Sequence, residues 1–446
     1  EFGKIEENKD PALFEKNLLS IKPNDLVTIC YTSGTTGIPK GAMLTHQNFQ
    51  AMLDNCVKIF SKYLKPEAET DLLYLPFSHI IGRAEAFATH VFGWKGCFAE
   101  NLEALPQALV EIRPTVLFSV PRIFEKSWRK ISDRIEHSTK LQKKIFYSAL
   151  ESGKKYLHNQ ASLTEKMNYL FCKRVFFQKI IKNFGGNLKV VLCGGAPLSA
   201  EIANVFQVLG LTILEGYGLT ETCGPVTLNS LEKNKIGTVG KPLHDVSLKT
   251  TQDGEILVQS KSVFNGYYKM PTETTETLKE GWFYTGDIGF IDNDGFLHVT
   301  DRKKDIIVTS GGKNIAPQKI ENLLKAKTFI CHFIVHGDNR NYLTALVTLN
   351  RDIITKYAID NKILFSDYTE LIKNPKIHTA IQKEVDEVNA VLASFERIKK
   401  FTLLPRDFSI ANGELTPSLK IKRRAIEKRY KAELDRMYET LDSTIK

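Results

Sequence analysis

Eleven residues constrain this chain more than any others: Tyr31-Thr32-Ser33-Gly34-Thr35-Thr36-Gly37-Ile38-Pro39-Lys40-Gly41. An apolar run, Leu26–Tyr31, leads into them, and Thr45 stands where it can cap a helix. Glycines let backbone N–H groups approach an anion closely, hydroxyls add uncharged donors, and Lys40 adds a mobile positive charge. The loop reads as a phosphate cradle between a strand and a helix. It lacks the Gly-Lys-Ser/Thr ending of a Walker A loop. A plainer alternative is a turn that only joins two elements, and the other motifs of the chain decide between the two.

With 446 residues, 42% hydrophobic and 25% charged, the chain is long enough and apolar enough for a large globular core. Its seven cysteines (30, 56, 97, 172, 193, 223, 331) are scattered, with no C-x-x-C pair. That pattern argues against a disulfide framework or zinc site and for a reduced, cytoplasmic setting. No apolar run reaches the roughly 18 residues of a membrane span, and the polar start shows no signal peptide. The net charge of +10 is concentrated: Arg122–Lys182 holds fifteen Lys/Arg against five Asp/Glu. Such an excess speaks to surface partners rather than to fold.

Strands are expected at Asp71–Leu75, Val116–Val120, Leu188–Leu192 and Thr212–Glu215, alternating with helices, which implies a mostly parallel sheet. Residues 122–183 have one glycine and no proline and read as long helices. From about 237 to 300 the texture changes to short strands with Asp253-Gly254 and Asp294-Gly295 turns, an antiparallel, barrel-like subdomain. A smaller α+β region comes after it. Beyond Lys420, the apolar residues Ile421, Ile426, Tyr430, Leu434, Met437 and Leu441 form one helical stripe, a packing face.

Further motifs recur in strand-to-turn settings: Gly194-Gly195-Ala196-Pro197, Tyr217-Gly218-Leu219-Thr220-Glu221-Thr222, Tyr284-Thr285-Gly286-Asp287, Asp301-Arg302-Lys303-Lys304-Asp305, and Gly413 to Lys420. Glu221 is a hard oxygen donor suited to magnesium, and Asp287 can accept two hydroxyls at once. In composition and order these strings, with the opening loop, resemble the acyl-adenylate-forming superfamily. Leu75–Arg83, Val120–Lys126, the 122–183 helices and Val263–Lys269 are similar to its long-chain fatty acyl-CoA synthetases.

The resemblance implies an α/β fold: a large N-terminal domain of parallel αβ layers with a β-rich subdomain (1–303), then a smaller mobile α+β domain (304–446). It implies ATP and Mg2+ as requirements, coenzyme A as co-substrate and a long-chain fatty acid as substrate. ATP or AMP would be held by Thr32, Ser33, Gly34, Thr35, Thr36, Gly37 and Lys40, by Gly195, Ala196 and Pro197, and by Glu215, Gly216, Tyr217, Gly218 and Thr220, with Asp287 on the ribose and Arg302 beside it. Thr32 and Glu221 would face magnesium. Lys420, preferred over Lys422, would bridge the attacking oxygen and the α-phosphate. Lys304 would be the hinge, and Ser310, Gly311 and Gly312 would line the coenzyme A path. His79 would sit at the junction of acyl and pantetheine channels as a gate.

Thirty residues precede the phosphate loop, where the family carries roughly a domain, so a chain lacking its N-terminal part is expected. The basic, aromatic-rich 122–183 segment suits an anionic membrane surface, and no nucleic-acid-binding module accompanies the charge. An oligomer is compatible with the sequence. The alternatives are a fatty acyl-adenylate ligase that loads a carrier protein and a non-catalytic nucleotide-binding fragment.

Overall fold

The computed structural model describes residues 12–32, 39–416 and 421–439. The flanks of the opening loop form an antiparallel hairpin: β1 (Leu26–Thr32) pairs with β2 (Lys40–Thr45), with Thr32 opposite Lys40. Thr45 then caps the helix His46–Phe60. Its hydroxyl accepts from the Asn48 backbone N–H, and the Asn48 side chain accepts from the Thr45 N–H, a capping box. Such a cap stabilises a helix by about 1 kcal/mol and fixes where it begins.

A seven-stranded sheet forms the frame. Its strands are β3 (Thr70–Leu73), β4 (Lys95–Phe98), β5 (Val116–Ser119), β6 (Val190–Cys193), β7 (Ile213–Leu219), β8 (Gly224–Leu228) and β9 (Lys241–Pro242), in the order 4-3-5-6-7-8-9. Strands β3 to β7 are mutually parallel, and β8 and β9 add antiparallel at one edge. Alternate residues enter opposite layers. Val116, Val190 and Leu214 pack against the helices His46–Phe60 and Ile80–Val91, while Leu117, Val191 and Ile213 face Phe124, Phe146 and Phe206. The long helices expected over 122–183 supply that second layer: Pro121–Glu136, Lys140–Leu157 and Leu163–Cys172, with Tyr169 and Phe177 fully buried.

Five antiparallel strands come next: β10 (Ser247–Thr250), β11 (Glu255–Gln259), β12 (Leu278–Lys279), β13 (Trp282–Ile291) and β14 (Leu297–Arg302). The long β13 pairs with β12 at its start, with β11 from Phe283 to Ile288 and with β14 from Asp287 to Ile291, so Asp287 stands opposite Arg302.

Past Arg302, a short hairpin of β15 (Ile307–Val308) and β16 (Asn314–Ile315) leads to a three-stranded sheet of β17 (Ile330–His336), β18 (Leu343–Leu349) and β19 (Ile398–Leu403). One face packs on Ile320 and Ile381 of two helices. Ile334 and Leu346, on the other face, meet the stripe of Ile426, Tyr430, Leu434 and Met437. Leu441, the last member expected of that stripe, lies outside the described residues. All seven cysteines are free thiols. Among the described residues, no helix is long and apolar enough to cross a membrane.

Candidate active site

Strands β7, β13 and β14 converge on one side chain, Asp287. The Tyr217 hydroxyl donates to Asp287 Oδ2 at 2.7 Å, and Arg302 Nε lies 3.1 Å from Oδ1. The three residues come from three separate motifs, one on each strand. Asp287 is 4% exposed and the Arg302 side chain is half exposed. A carboxylate offers about four lone-pair sites, enough to serve ligand hydroxyls alongside these two partners. Asp287 holds the Arg302 guanidinium firmly protonated, and Glu221 adds to that attraction.

Glu221 sits in a 3-10 turn, Thr220–Thr222, at the end of β7. Gly218 makes this turn feasible: a Cβ there would come within 1.9 Å of the Gly224 carbonyl oxygen. The Glu221 carboxyl is buried, and its Oε1 accepts from the Tyr267 hydroxyl at 2.8 Å. Lys40 Nζ lies 5.0 Å from the centre of the same tyrosine ring. Tyr267 thus joins the β1–β2 hairpin to Glu221. It is the site residue that the motifs do not single out, because Val263–Lys269 carries a family signature without a chemical role attached.

Glu215 ends the parallel portion of β7, opposite Cys193 of β6. It accepts from the Leu198 N–H at 3.3 Å, so it braces the Gly194-Gly195-Ala196-Pro197 turn from behind. Burial pushes its carboxyl up to about 7. Gly216 pairs with Leu228, and the Thr220 carbonyl accepts from Cys223. Thr32 faces Lys40 across the hairpin, its hydroxyl 3.4 Å from the Lys40 carbonyl.

His79 is the N-cap of the helix Ile80–Val91, its Nδ1 accepting from the Ile81 N–H at 3.3 Å. One ring nitrogen is therefore occupied structurally. Arg83, on that helix, donates to Thr28 of β1 and to the Phe77 carbonyl, while Cys30 donates to the Ser78 carbonyl. These bonds lay the 77–83 segment against strand β1.

Lys304 is exposed. The preceding residue is anchored on the β10–β14 sheet, Lys303 Nζ reaching Asp253 and Glu255 at 2.7 Å each. The Ser310-Gly311-Gly312 segment is the exposed turn between β15 and β16 and is fastened to Arg340 and Asn341. It is not among the residues that converge on Asp287. Ser33, Gly34, Thr35, Thr36, Gly37 and Lys420 lie outside the described residues. The chain on either side of Lys420 is anchored: Leu415 bridges Ile421, buried Glu414 holds Arg406 through two hydrogen bonds of 2.8 and 2.6 Å, and Arg423 meets Glu321 at 2.6 Å.

Residues 3–268 match the AMP-binding enzyme family, and residues 304–442 match the AMP-binding enzyme C-terminal domain. The long-chain-fatty-acid–CoA ligase FadD15 of Mycobacterium bovis is 35% identical over 434 residues, spanning 96% of this chain and 72% of that protein. The peroxisomal long chain acyl-CoA synthetase 6 of Arabidopsis thaliana is also 35% identical, over 95% of this chain and 62% of its own length. Among solved structures, the adenylation domain of a carboxylate reductase from Mycobacterium chelonae superimposes with a TM-score of 0.71 at 24% identity, covering 94% of this chain and 60% of that one. The chain is a member of the AMP-binding, acyl-adenylate-forming enzyme family, in its long-chain fatty acid–CoA ligase branch.

Proposed function

We propose that this chain activates a long-chain fatty acid with ATP and transfers the acyl group to coenzyme A. The observation that carries the reading is the convergence of Tyr217, Asp287 and Arg302 beside a buried Glu221 that Tyr267 links to Lys40. In the first step a fatty carboxylate oxygen attacks the α-phosphorus of ATP; the mixed anhydride forms and pyrophosphate leaves. In the second, the coenzyme A sulfur attacks the acyl carbonyl, the thiol loses its proton, and AMP leaves.

The residues divide the work by charge. Asp287 accepts the ribose hydroxyls, with Arg302 fixing its orientation. Tyr217 and the Gly195-Ala196-Pro197 turn, braced by Glu215, border the adenine. Gly216, Gly218 and Thr220 shape the turn beside it. Lys40 and the donors of the 33–37 loop balance the triphosphate, and Lys420 bridges carboxylate and α-phosphate, where negative groups must meet. His79 flanks the acyl path as a gate. Glu221, with Thr32, presents hard oxygens that fit magnesium, which when bound neutralises phosphate charge.

Lys420 and coenzyme A need the same opening, so the small domain, 304–446, turns about Lys304 between the steps and brings Ser310, Gly311 and Gly312 to the pantetheine path.

The membrane is the surface from which the acid is collected. Leu163, Met167 and Phe171 form an exposed stripe on the helix Leu163–Cys172, at 75%, 66% and 64% exposure. Lys166, Lys173 and Arg174 flank it. An apolar stripe edged by cations suits an anionic lipid surface. Replacing the three apolar residues with Asp should abolish co-sedimentation with phosphatidylserine vesicles; unchanged binding would remove the membrane from the mechanism.

The direct test of function is product analysis with Mg·ATP, palmitate and either coenzyme A or an acyl-carrier protein, beside a Lys420→Ala control. Palmitoyl-CoA and AMP are expected from coenzyme A and not from the control. Acyl transfer to the carrier alone would replace the ligase reading, and ATP binding without product would favour a binding protein.

A further inference from the structure

Tyr267 is fixed in place from three directions. Its backbone bridges Ala42, the Gly266 carbonyl accepts from the Met43 N–H at 3.0 Å, and the Tyr268 N–H donates to the Gly41 carbonyl at 2.8 Å. Its own N–H donates to Thr274 Oγ1 at 2.9 Å, at the helix Pro271–Thr277. Earlier in the same segment, the Phe264 N–H donates to the Glu221 carbonyl at 2.8 Å. The segment is therefore a strut between β2, which begins at Lys40, and the turn that carries Glu221. Gly266 is needed for the strut to bend: it has φ +129°, and a Cβ there would meet Thr274 Cγ2 at 2.6 Å.

Packing does not account for the hydroxyl. The Phe264 ring packs edge-on against that of Tyr267 with centroids 4.8 Å apart, a contact that needs the ring and not the hydroxyl. The buried Tyr267 hydroxyl instead makes a 2.8 Å bond to Glu221 Oε1, while Lys40 stands over the ring. One side chain thus holds the carboxylate in a single rotamer and offers the lysine a π face.

We infer that Tyr267 is a positioning residue: its hydroxyl orients Glu221 so that the second oxygen, Oε2, is presented to a divalent cation, and its ring holds Lys40 ready for the nucleotide phosphates. This rests on the proposed role of Glu221. Partners that orient a metal-binding carboxylate typically contribute about tenfold to 100-fold in metal affinity.

The test uses Mn2+ as probe, with ATP present, and reads bound Mn2+ by electron paramagnetic resonance on the whole protein. Tyr267→Phe should weaken Mn2+ binding about tenfold while metal-free ATP binding and the melting temperature hold. Tyr267→Leu, which also removes the ring from under Lys40, should weaken metal-free ATP binding as well. Glu221→Gln should weaken Mn2+ binding, and adding Tyr267→Phe to it should cost nothing further. That coupling can be read even if the single tyrosine variant folds less well. Unchanged Mn2+ affinity in Tyr267→Phe, with a loss in Glu221→Gln, would overturn the role of Tyr267 alone. No loss in Glu221→Gln would overturn the metal role of Glu221 and the inference with it.

Discussion

The wall around Asp287 and the layer beneath the helix Ile80–Val91 both bury carboxyl groups, and they treat them in opposite ways. Asp287 receives a tyrosine hydroxyl and an arginine. Glu85 and Asp71 are each 0% exposed, and among the described residues neither has a hydrogen-bonded cation. Neither oxygen of Glu85 completes a hydrogen bond, although the Phe118 backbone lies close, and Asp71 receives Thr89 on Oδ2 alone. Burial pushes Asp71 up to about 7 and Glu85 well above the usual carboxylate range, with Asp71 adding to the latter. A buried charge persists where it is paired; where it is not, the group takes up a proton. The first region holds an acceptor paired with a cation at the edge of a polar site, and the second holds two acids that burial drives toward their protonated forms between sheet and helix. Depth of burial does not separate chemistry from packing here. The partners do.

Removing the paired carboxylate should have the largest effect. Asp287→Ala leaves Arg302 and Tyr217 without their acceptor and removes the group proposed to hold the ribose. We expect kcat/KM for ATP to fall at least 100-fold, about 3 kcal/mol, in an acid-dependent ATP–pyrophosphate exchange assay. Glu85→Gln should change the same rate by no more than a few-fold, since it swaps one neutral group for another. Equal losses in both would erase the distinction.

A smaller effect separates the regions by pH. Asp71 and Glu85 have higher pKa values folded than unfolded. Their contribution to stability is therefore complete below the unfolded value of about 4 and is lost as the pH rises through the folded value, about 7 for Asp71. Between pH 5 and 8 the melting temperature should fall by a few degrees, and the double variant Asp71→Asn, Glu85→Gln should lessen that fall, leaving the share that Glu215 contributes with the same sign. A wild-type melting temperature that does not decline over this range would contradict protonated acids in the core.

The smallest effect tests a third arrangement, at the seam between the large and small domains, where buried His332 meets the partly exposed Asp407. Arg122 donates to His332 Nε2 at 2.9 Å, so His332 is neutral and gives its Nδ1 proton to Asp407 Oδ1 at 2.6 Å. Burial lowers the pKa of His332; burial opposes ionisation of Asp407, but the hydrogen bond from His332 and its neighbours keep Asp407 charged. Arg129 reaches the Cys331 carbonyl at 3.2 Å. These bonds hold the small domain in one orientation at about 1 kcal/mol each. Arg122→Ala should therefore change the ratio of the adenylation and thioester half-reactions several-fold without altering the affinity for ATP. Parallel changes in both half-reactions would show that this contact is indifferent to domain motion.

Local chemistry makes much of this legible in the sequence. Thr45 and Asn48 announce a helix start through short-range bonds, and β6 and β7 stand out as apolar runs before glycine turns. Tyr217, Asp287 and Arg302 can be named because each sits in a distinctive string, and the fold brings the three strings together. The helix Ile80–Val91 is harder to recognise, because buried Glu85 and Thr89 interrupt its apolar face. Tyr267 is hidden for a different reason: its partners lie 46 residues away at Glu221 and on another strand at Lys40, and nothing in its own neighbourhood points to either. The antiparallel pairing of β10–β14 likewise depends on how β13 is shared between neighbours, which the Asp-Gly turns alone do not specify.

Adenylate formation at the Asp287 site is tested most directly by ATP–pyrophosphate exchange with palmitate present and coenzyme A absent. Exchange should require the fatty acid, disappear in Asp287→Ala and survive in Glu85→Gln. Exchange that is absent, or that proceeds without a carboxylic acid, would contradict an acyl-adenylate built there.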